Sequence, residues 1–219
     1  MDALEIRRIV EAERLSLCDV LEGLDGAHWA TPSLCAGWTV HEVVAHLTLP
    51  TRTSFLGMVL GMARARGDFD RMADGSARRR AARFDPPALV AQLRETAGSP
   101  RRMPGSSPVD PLIDILVHAQ DVCRPLGIVR RMPVPGAVVA LAHVSGSTFY
   151  GGPARLDGLR LTATDSGWTH GPQEGPAVRG TTQDLLLIAT GRPVGLDGLH
   201  GDGVDTLRSR LDGGTSRVP

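Results

Sequence analysis

At 219 residues, 42% of them hydrophobic, the chain is long enough for one large or two modest domains with real cores. Its 24 basic residues balance its 24 acidic ones, so no overall field draws it to nucleic acid or to an anionic membrane, and neither is expected as a partner. Three cysteines, Cys18, Cys35 and Cys123, cannot all pair, which excludes a disulfide framework and suits a reducing compartment.

The elements follow in chain order. Residues 3 to 24 carry a helical period through Leu4, Ile9, Leu15, Val20 and Leu24. Their first residues, Met1 to Glu5, lack the basic start and apolar core of a signal peptide. A second helix is predicted from Thr39 towards Ala65, kinked at Pro50. Its start is marked by Thr39 with Glu42 three residues on, a capping box, and by the apolar stripe Val40, Val43, Val44 and Leu47. The arginine-rich stretch around Arg78, Arg79, Arg80 and Arg83 reads as a solvated loop or helix face. A short third helix follows Asp85 and Pro86 and ends near Gly98. The fourth spans residues 111 to 124.

After Gly127 the texture changes. Val134 to Val144 is the longest apolar stretch, interrupted by Pro135 and His143 and too short to span a bilayer, so a cytoplasmic location is expected. Leu159, Leu161 and Ala163 alternate as one face of a strand, and Trp168 continues a hairpin. A helix from Thr181 to Thr190 ends at Gly191, and a last helix starts near Val204. The expected class is therefore α followed by α/β: a four-helix domain over 1–130 and a small α/β domain over 131–219.

The chemistry concentrates in two motifs, GWTVHEVVAHL with His46 and DILVHAQD with Asp114, His118 and Asp121. On a helix Asp114 and His118 project from one face, one turn apart, and can grip one ion. His46, beside the stripe of its own helix, can point into the same space. Two nitrogens and one oxygen suit zinc, and three protein ligands leave a fourth position for water or substrate. Asp121 can ligate directly or orient a ligand. Each piece alone also has a plain structural reading, a buried histidine holding one hydrogen bond or an Asp/His surface contact. Cys18 reads as core and Cys123 lies off the metal face. Cys35, just ahead of a helix start, is the one thiol placed to be reactive.

The stretch with Trp29, Pro32, Cys35, Gly37, Trp38, Thr39, Val43, Ala45, His46 and Leu47 resembles the mycothiol-dependent maleylpyruvate isomerase family, a branch of the DinB-like helical bundles. DILVHAQD resembles that family's second ligand motif, and the tail from GLRLTATD to GDG is similar to its small, sterol-carrier-like C-terminal domain. The resemblance implies a DinB-like four-helix bundle with a divalent metal, zinc among them, on His46, Asp114 and His118, where the isomerase has Glu in place of Asp114. It also implies mycothiol as thiol cosubstrate and a small electrophile as substrate. The absence of lysine and asparagine is expected of a GC-rich genome and suits an actinobacterium, where mycothiol is the usual small thiol.

The mechanism this implies is a metal-activated thiolate attacking an electrophilic carbon, in an isomerase or an S-transferase, with Asp121 moving the proton. Arg192, after the helix end at Gly191, is a candidate for holding an anionic substrate or thiol carboxylate, against a plain role at a helix C-terminus. A metal-dependent hydrolase using bound water and a non-catalytic metal-binding regulatory protein remain as alternatives. Either a monomer or a homodimer fits.

Overall fold

The computed structural model describes residues 1–213. The chain divides into two compact units, Met1–Arg130 and a second beginning at Arg131. It is mostly helical, with one three-stranded sheet in the second unit.

In the first unit, α1 (Ala3–Glu22) starts at an Asp2 cap, where Asp2 and Glu5 exchange side-chain-to-backbone hydrogen bonds of 2.8 and 2.7 Å. Its buried face runs through Ile6, Val10, Arg14, Leu17, Cys18 and Leu21, not through the expected Leu4, Ile9, Leu15, Val20 and Leu24. An arginine sits on the buried ladder, so the apolar pattern pointed to a rotated face. A single turn, α2 (Gly26–Trp29), leads to α3 (Val40–Leu47), whose stripe of Val40, Val43, Val44 and Leu47 is buried as expected.

Here the structure corrects the expected second helix. It does not kink at Pro50; it ends at Leu47, and a separate α4 (Phe55–Arg64) begins after a Ser54 cap. The Thr48 hydroxyl donates back to the Ala45 carbonyl at 2.7 Å and Thr53 to Leu49 at 2.9 Å, so threonines around the proline take over the backbone groups the helix would use.

The arginine-rich stretch lies largely in a further helix, α5 (Phe69–Ala81), which buries only Met72, Ala73 and Ala77. α6 (Pro86–Glu95) has Asp85 as cap, accepting from the Ala88 N–H at 2.9 Å, with proline in its first turn. α7 (Asp110–Cys123) is buried from Leu112 to Cys123 except at Asp114. α1 packs on α6 and α7, and α3 packs on α5, α6 and α7. α1, α3, α6 and α7 thus form a four-helix bundle with α5 laid on α3.

In the second unit, α8 (Val134–Gly146) and α10 (Thr182–Ala189) pack together, with α9 (Gly152–Leu156) against both. The strands are β1 (Arg160–Ala163), β2 (Thr169–His170) and β3 (Ala177–Gly180), in the order β2-β1-β3. β1 pairs antiparallel with β2, Leu161 opposite His170, and parallel with β3, Leu161 opposite Val178. Leu161 and Ala163 of β1 face inward with Leu159 ahead of them, as the alternation predicts. α10 ends with Gly191 at φ +82°, a left-handed residue that glycine adopts without strain. A 3-10 segment over Pro193–Gly198 and α11 (Val204–Gly213) complete the unit. Among the described residues no helix is long and apolar enough to cross a membrane.

Cys18 is core, as its neighbours predict: it is fully buried and its thiol donates to the Val90 carbonyl at 3.8 Å. Burial pushes its pKa from 9.0 to about 11. The folded-state value lies above the unfolded one, so this stability is fully present below about pH 9 and is lost as pH rises, about 2 kcal/mol of it by pH 11. Urea unfolding at pH 8 and pH 11 should show this loss, and Cys18→Ala should flatten it. An equal loss in the variant would rule out the thiol as its source.

Candidate metal centre

The loop before α3 sets one side of the site. Thr31 accepts from the Val40 N–H at 3.0 Å and the Trp38 carbonyl from the Ser33 N–H at 2.9 Å, closing a tight turn over residues 31–40. Gly37 stands at φ +77°, and its carbonyl accepts from Arg78 Nη2 at 2.8 Å. The same guanidinium reaches Asp74 through Nε at 2.8 Å and Glu42 through Nη1 at 2.9 Å. Arg78 therefore clamps the loop and α3 to α5 instead of standing free in solvent. Glu42 completes the start of α3, accepting from the Thr39 N–H at 2.7 Å. Trp38 donates to Asp74 at 2.8 Å and lays its ring beside His46, with centroids 5.3 Å apart.

With α3 fixed in this way, His46 meets α7. Its Nε2 lies 3.2 Å from Asp114 Oδ1, and His118 Nε2 lies 3.6 Å from the same oxygen. The two imidazoles meet edge to face, with centroids 4.9 Å apart. His46, Asp114 and His118 thus come together as the motifs predicted, their ligand atoms close enough to share one ion. Tetrahedral zinc ligands at about 2.0–2.1 Å from the metal stand about 3.3 Å apart, which matches these separations. Among the described residues two buried side-chain polar atoms have no partner, Asp114 Oδ2 and His46 Nδ1. An orphaned carboxylate oxygen costs about 1–3 kcal/mol, and a cation beside it removes that cost. On donor chemistry, spacing and the orphaned oxygen, the residues fit a divalent metal. The side chains of His46 and Asp114 remain 11% and 19% exposed while His118 is 3% exposed, so the group meets solvent at His46 and Asp114.

Asp121 does not face that opening. It is fully buried, and its Oδ2 lies 2.8 Å from His118 Nδ1, on the far side of the ring from Asp114. Cys35 joins it there, its Sγ 3.0 Å from Asp121 Oδ2 and 3.5 Å from His118 Nδ1. Cys35, His118 and Asp121 form a second group with metal-capable atoms. Its nitrogen-to-oxygen separation of 2.8 Å is that of a hydrogen bond.

Electrostatics favour a charged Asp114. Burial opposes its ionisation, but the hydrogen bond with His46 and the charges of His46, His118 and Arg14 outweigh burial and hold its carboxyl below the usual range. Sequence reasoning missed Arg14. It is 2% exposed, and its Nη1 donates, at 3.4 and 3.3 Å, to the carbonyls of Thr96 and Ala97 at the end of α6. Burial pulls its pKa down, and the nearby Asp114 charge pushes it back up. The available signal was an arginine standing four residues beyond Val10 on the face that carries Leu17, Cys18 and Leu21.

Arg192 belongs to the second unit. It is buried, not at the surface, and folds back on the end of α10, Nη1 donating to the Thr190 carbonyl at 2.7 Å.

A protein-family model described as the mycothiol maleylpyruvate isomerase N-terminal domain matches residues 10–114. Among solved structures, the chain is similar to a crystal structure of the mycothiol-dependent maleylpyruvate isomerase, with TM-score 0.62 and 16% identity, covering 100% of this chain and 97% of that one. A histidine-to-alanine mutant of that isomerase gives TM-score 0.59 at 16% identity, with the same coverage of 100% and 97%. No curated protein sequence matches. At this identity the structures speak to the fold, and they agree with it along the whole chain. The family match lies on α1 to α7 and reaches Asp114, the first candidate ligand of the second motif. Over residues 10–114 the N-terminal unit is thus similar to the mycothiol maleylpyruvate isomerase N-terminal domain family.

Proposed function

We propose that this protein is a metal-dependent enzyme that uses a low-molecular-weight thiol of the mycothiol type to isomerise, or to conjugate, a small electrophilic substrate. The observation that carries the reading is the His46, Asp114 and His118 set, with its orphaned carboxylate oxygen, inside a domain similar to this family. His46 Nε2, the Asp114 carboxylate and His118 Nε2 would hold the ion, zinc or a similar divalent metal. When bound, the ion supplies positive charge that lowers the pKa of a coordinated thiol, so that the thiol is a thiolate at neutral pH.

The chain's own residues do the rest. Asp121 accepts from His118 Nδ1 and so keeps Nε2 bare towards the ion. Of the roles the sequence allowed Asp121, direct ligation, orientation of a ligand or proton transfer, this reading assigns it the second, acting through His118. The partial exposure of His46 and Asp114 leaves a side from which thiol and substrate approach. Addition of the thiolate to a conjugated double bond turns that bond into a single bond; rotation and expulsion of the thiolate then give the isomer, with no net oxidation. If the adduct is protonated and released instead, the reaction is a thiol transfer.

The test is turnover of maleylpyruvate, followed by its ultraviolet absorbance, by zinc-loaded protein with and without mycothiol. Turnover that needs both, with thiol unconsumed, is the result expected of an isomerase, and stoichiometric thiol loss marks a transferase. Hydrolysis of an activated ester by the loaded protein without thiol, and no thiol-dependent reaction, would replace this reading by a metal-dependent hydrolase.

A further inference from the structure

We propose that Cys35 is a positioning residue for the metal centre: its thiol holds Asp121 in the one orientation that makes His118 present Nε2 to the ion. The inference rests on the metal reading given above. Sequence placed Cys35 ahead of a helix start, where a reactive thiolate forms, but its surroundings give it a different task. The thiol is 3% exposed and donates to Asp121 Oδ2 at 3.0 Å, a short contact for sulfur. The same oxygen lies 2.8 Å from His118 Nδ1, within hydrogen-bond distance.

Two donors converging on one carboxylate oxygen from different segments fix its rotation, whereas a single donor leaves it free to swing about the Cβ–Cγ bond. The backbone enforces the convergence. The Leu34 N–H donates to the Asp121 carbonyl at 3.2 Å, so the loop is tied to α7 at the residue whose side chain its thiol holds. Ser33 Oγ accepts from the Cys35 N–H at 3.2 Å and donates to the Trp38 carbonyl at 2.9 Å, fixing the thiol's carrier. His118 is the imidazole that needs this control. Its two nitrogens face different oxygens, Asp121 Oδ2 at 2.8 Å and Asp114 Oδ1 at 3.6 Å, and a proton on the wrong nitrogen would abolish it as a ligand.

The test uses the full chain with ¹⁵N-labelled histidine, metal-free, and compares wild type, Cys35→Ala and Cys35→Ser. The ¹⁵N shifts of His118 report which nitrogen carries the proton, and zinc affinity is read by competition with a chromophoric chelator. In wild type the proton should sit on Nδ1. Cys35→Ala should mix the tautomers and weaken zinc about 10–100-fold, the range for loss of a group that supports a ligand. Cys35→Ser, which keeps a donor, should restore the tautomer and return affinity to within roughly 3-fold of wild type, an effect that simple packing by sulfur would not give. A wild-type His118 protonated on Nε2 overturns the proposal without any variant. So does Cys35→Ala with unchanged shifts and affinity, or Cys35→Ser as impaired as Cys35→Ala. If wild type takes up no zinc, the metal reading falls, and the tautomer comparison still decides whether Cys35 controls His118.

Discussion

His118→Ala should abolish metal retention and, with it, all thiol-dependent turnover. Wild-type protein loaded with zinc and dialysed should keep about one ion per chain; the variant should keep none, its affinity reduced by well over the ~100-fold seen when a group supporting a ligand is lost. The reason lies in the position of this residue. In the proposed site His118 supplies one of three ligand atoms through Nε2, and through Nδ1 it is the partner of Asp121 and Cys35. Removing the ring takes a ligand from the ion and leaves a fully buried carboxylate without that donor. The variant also loses stability, by about 2–4 kcal/mol, because the imidazole is replaced by a cavity beside a charge. His118→Gln, which refills most of the volume, separates the two effects: stability returns in part and zinc does not. Zinc retained at one per chain by either variant would remove His118 from the ligand set.

Arg14→Met should lower the melting temperature of metal-free protein by roughly 10 °C, corresponding to about 2–4 kcal/mol in a unit of this size. Methionine fills the space but donates nothing, so the Thr96 and Ala97 carbonyls at the end of α6 lose Nη1 as donor. Asp114 loses the cation that helps hold it ionised. The same substitution should enlarge the rise in melting temperature that zinc produces, because the ion then supplies the missing positive charge and no longer meets a second cation near Asp114. Scanning calorimetry with and without zinc measures both. A metal-free shift under about 2 °C, or a smaller zinc-induced rise than in wild type, would show that Arg14 does not act on Asp114 in this way.

The grouping of His46, Asp114 and His118 was legible because helices write their geometry into spacing: Asp114 and His118 stand one turn apart, and His46 follows a marked helix start and an apolar stripe. What sequence could not supply was direction. Nothing in HAQD says that Asp121 stands behind His118 instead of beside Asp114, and nothing at Cys35 says that its loop turns the thiol onto α7. α5 stayed hidden because small residues, Ala73 and Ala77, carry most of its packing and give a faint hydrophobic signal next to its arginines. The face of α1 was misassigned because a buried arginine interrupts the pattern that burial normally leaves.

α7 is covered along nearly its whole length, and two of the three proposed ligands ride on it. Segments covered in this way are the last to open in a native protein, whereas α4, with no buried residue, belongs to the kind that opens first. An ion held by Asp114 and His118 therefore need not wait for the bundle to loosen in order to leave or to be replaced. In the proposed site the solvent side is at Asp114 and His46, 19% and 11% exposed, so bond breaking there would set the ion's residence time, and the clock of metal exchange would run independently of the clock of unfolding.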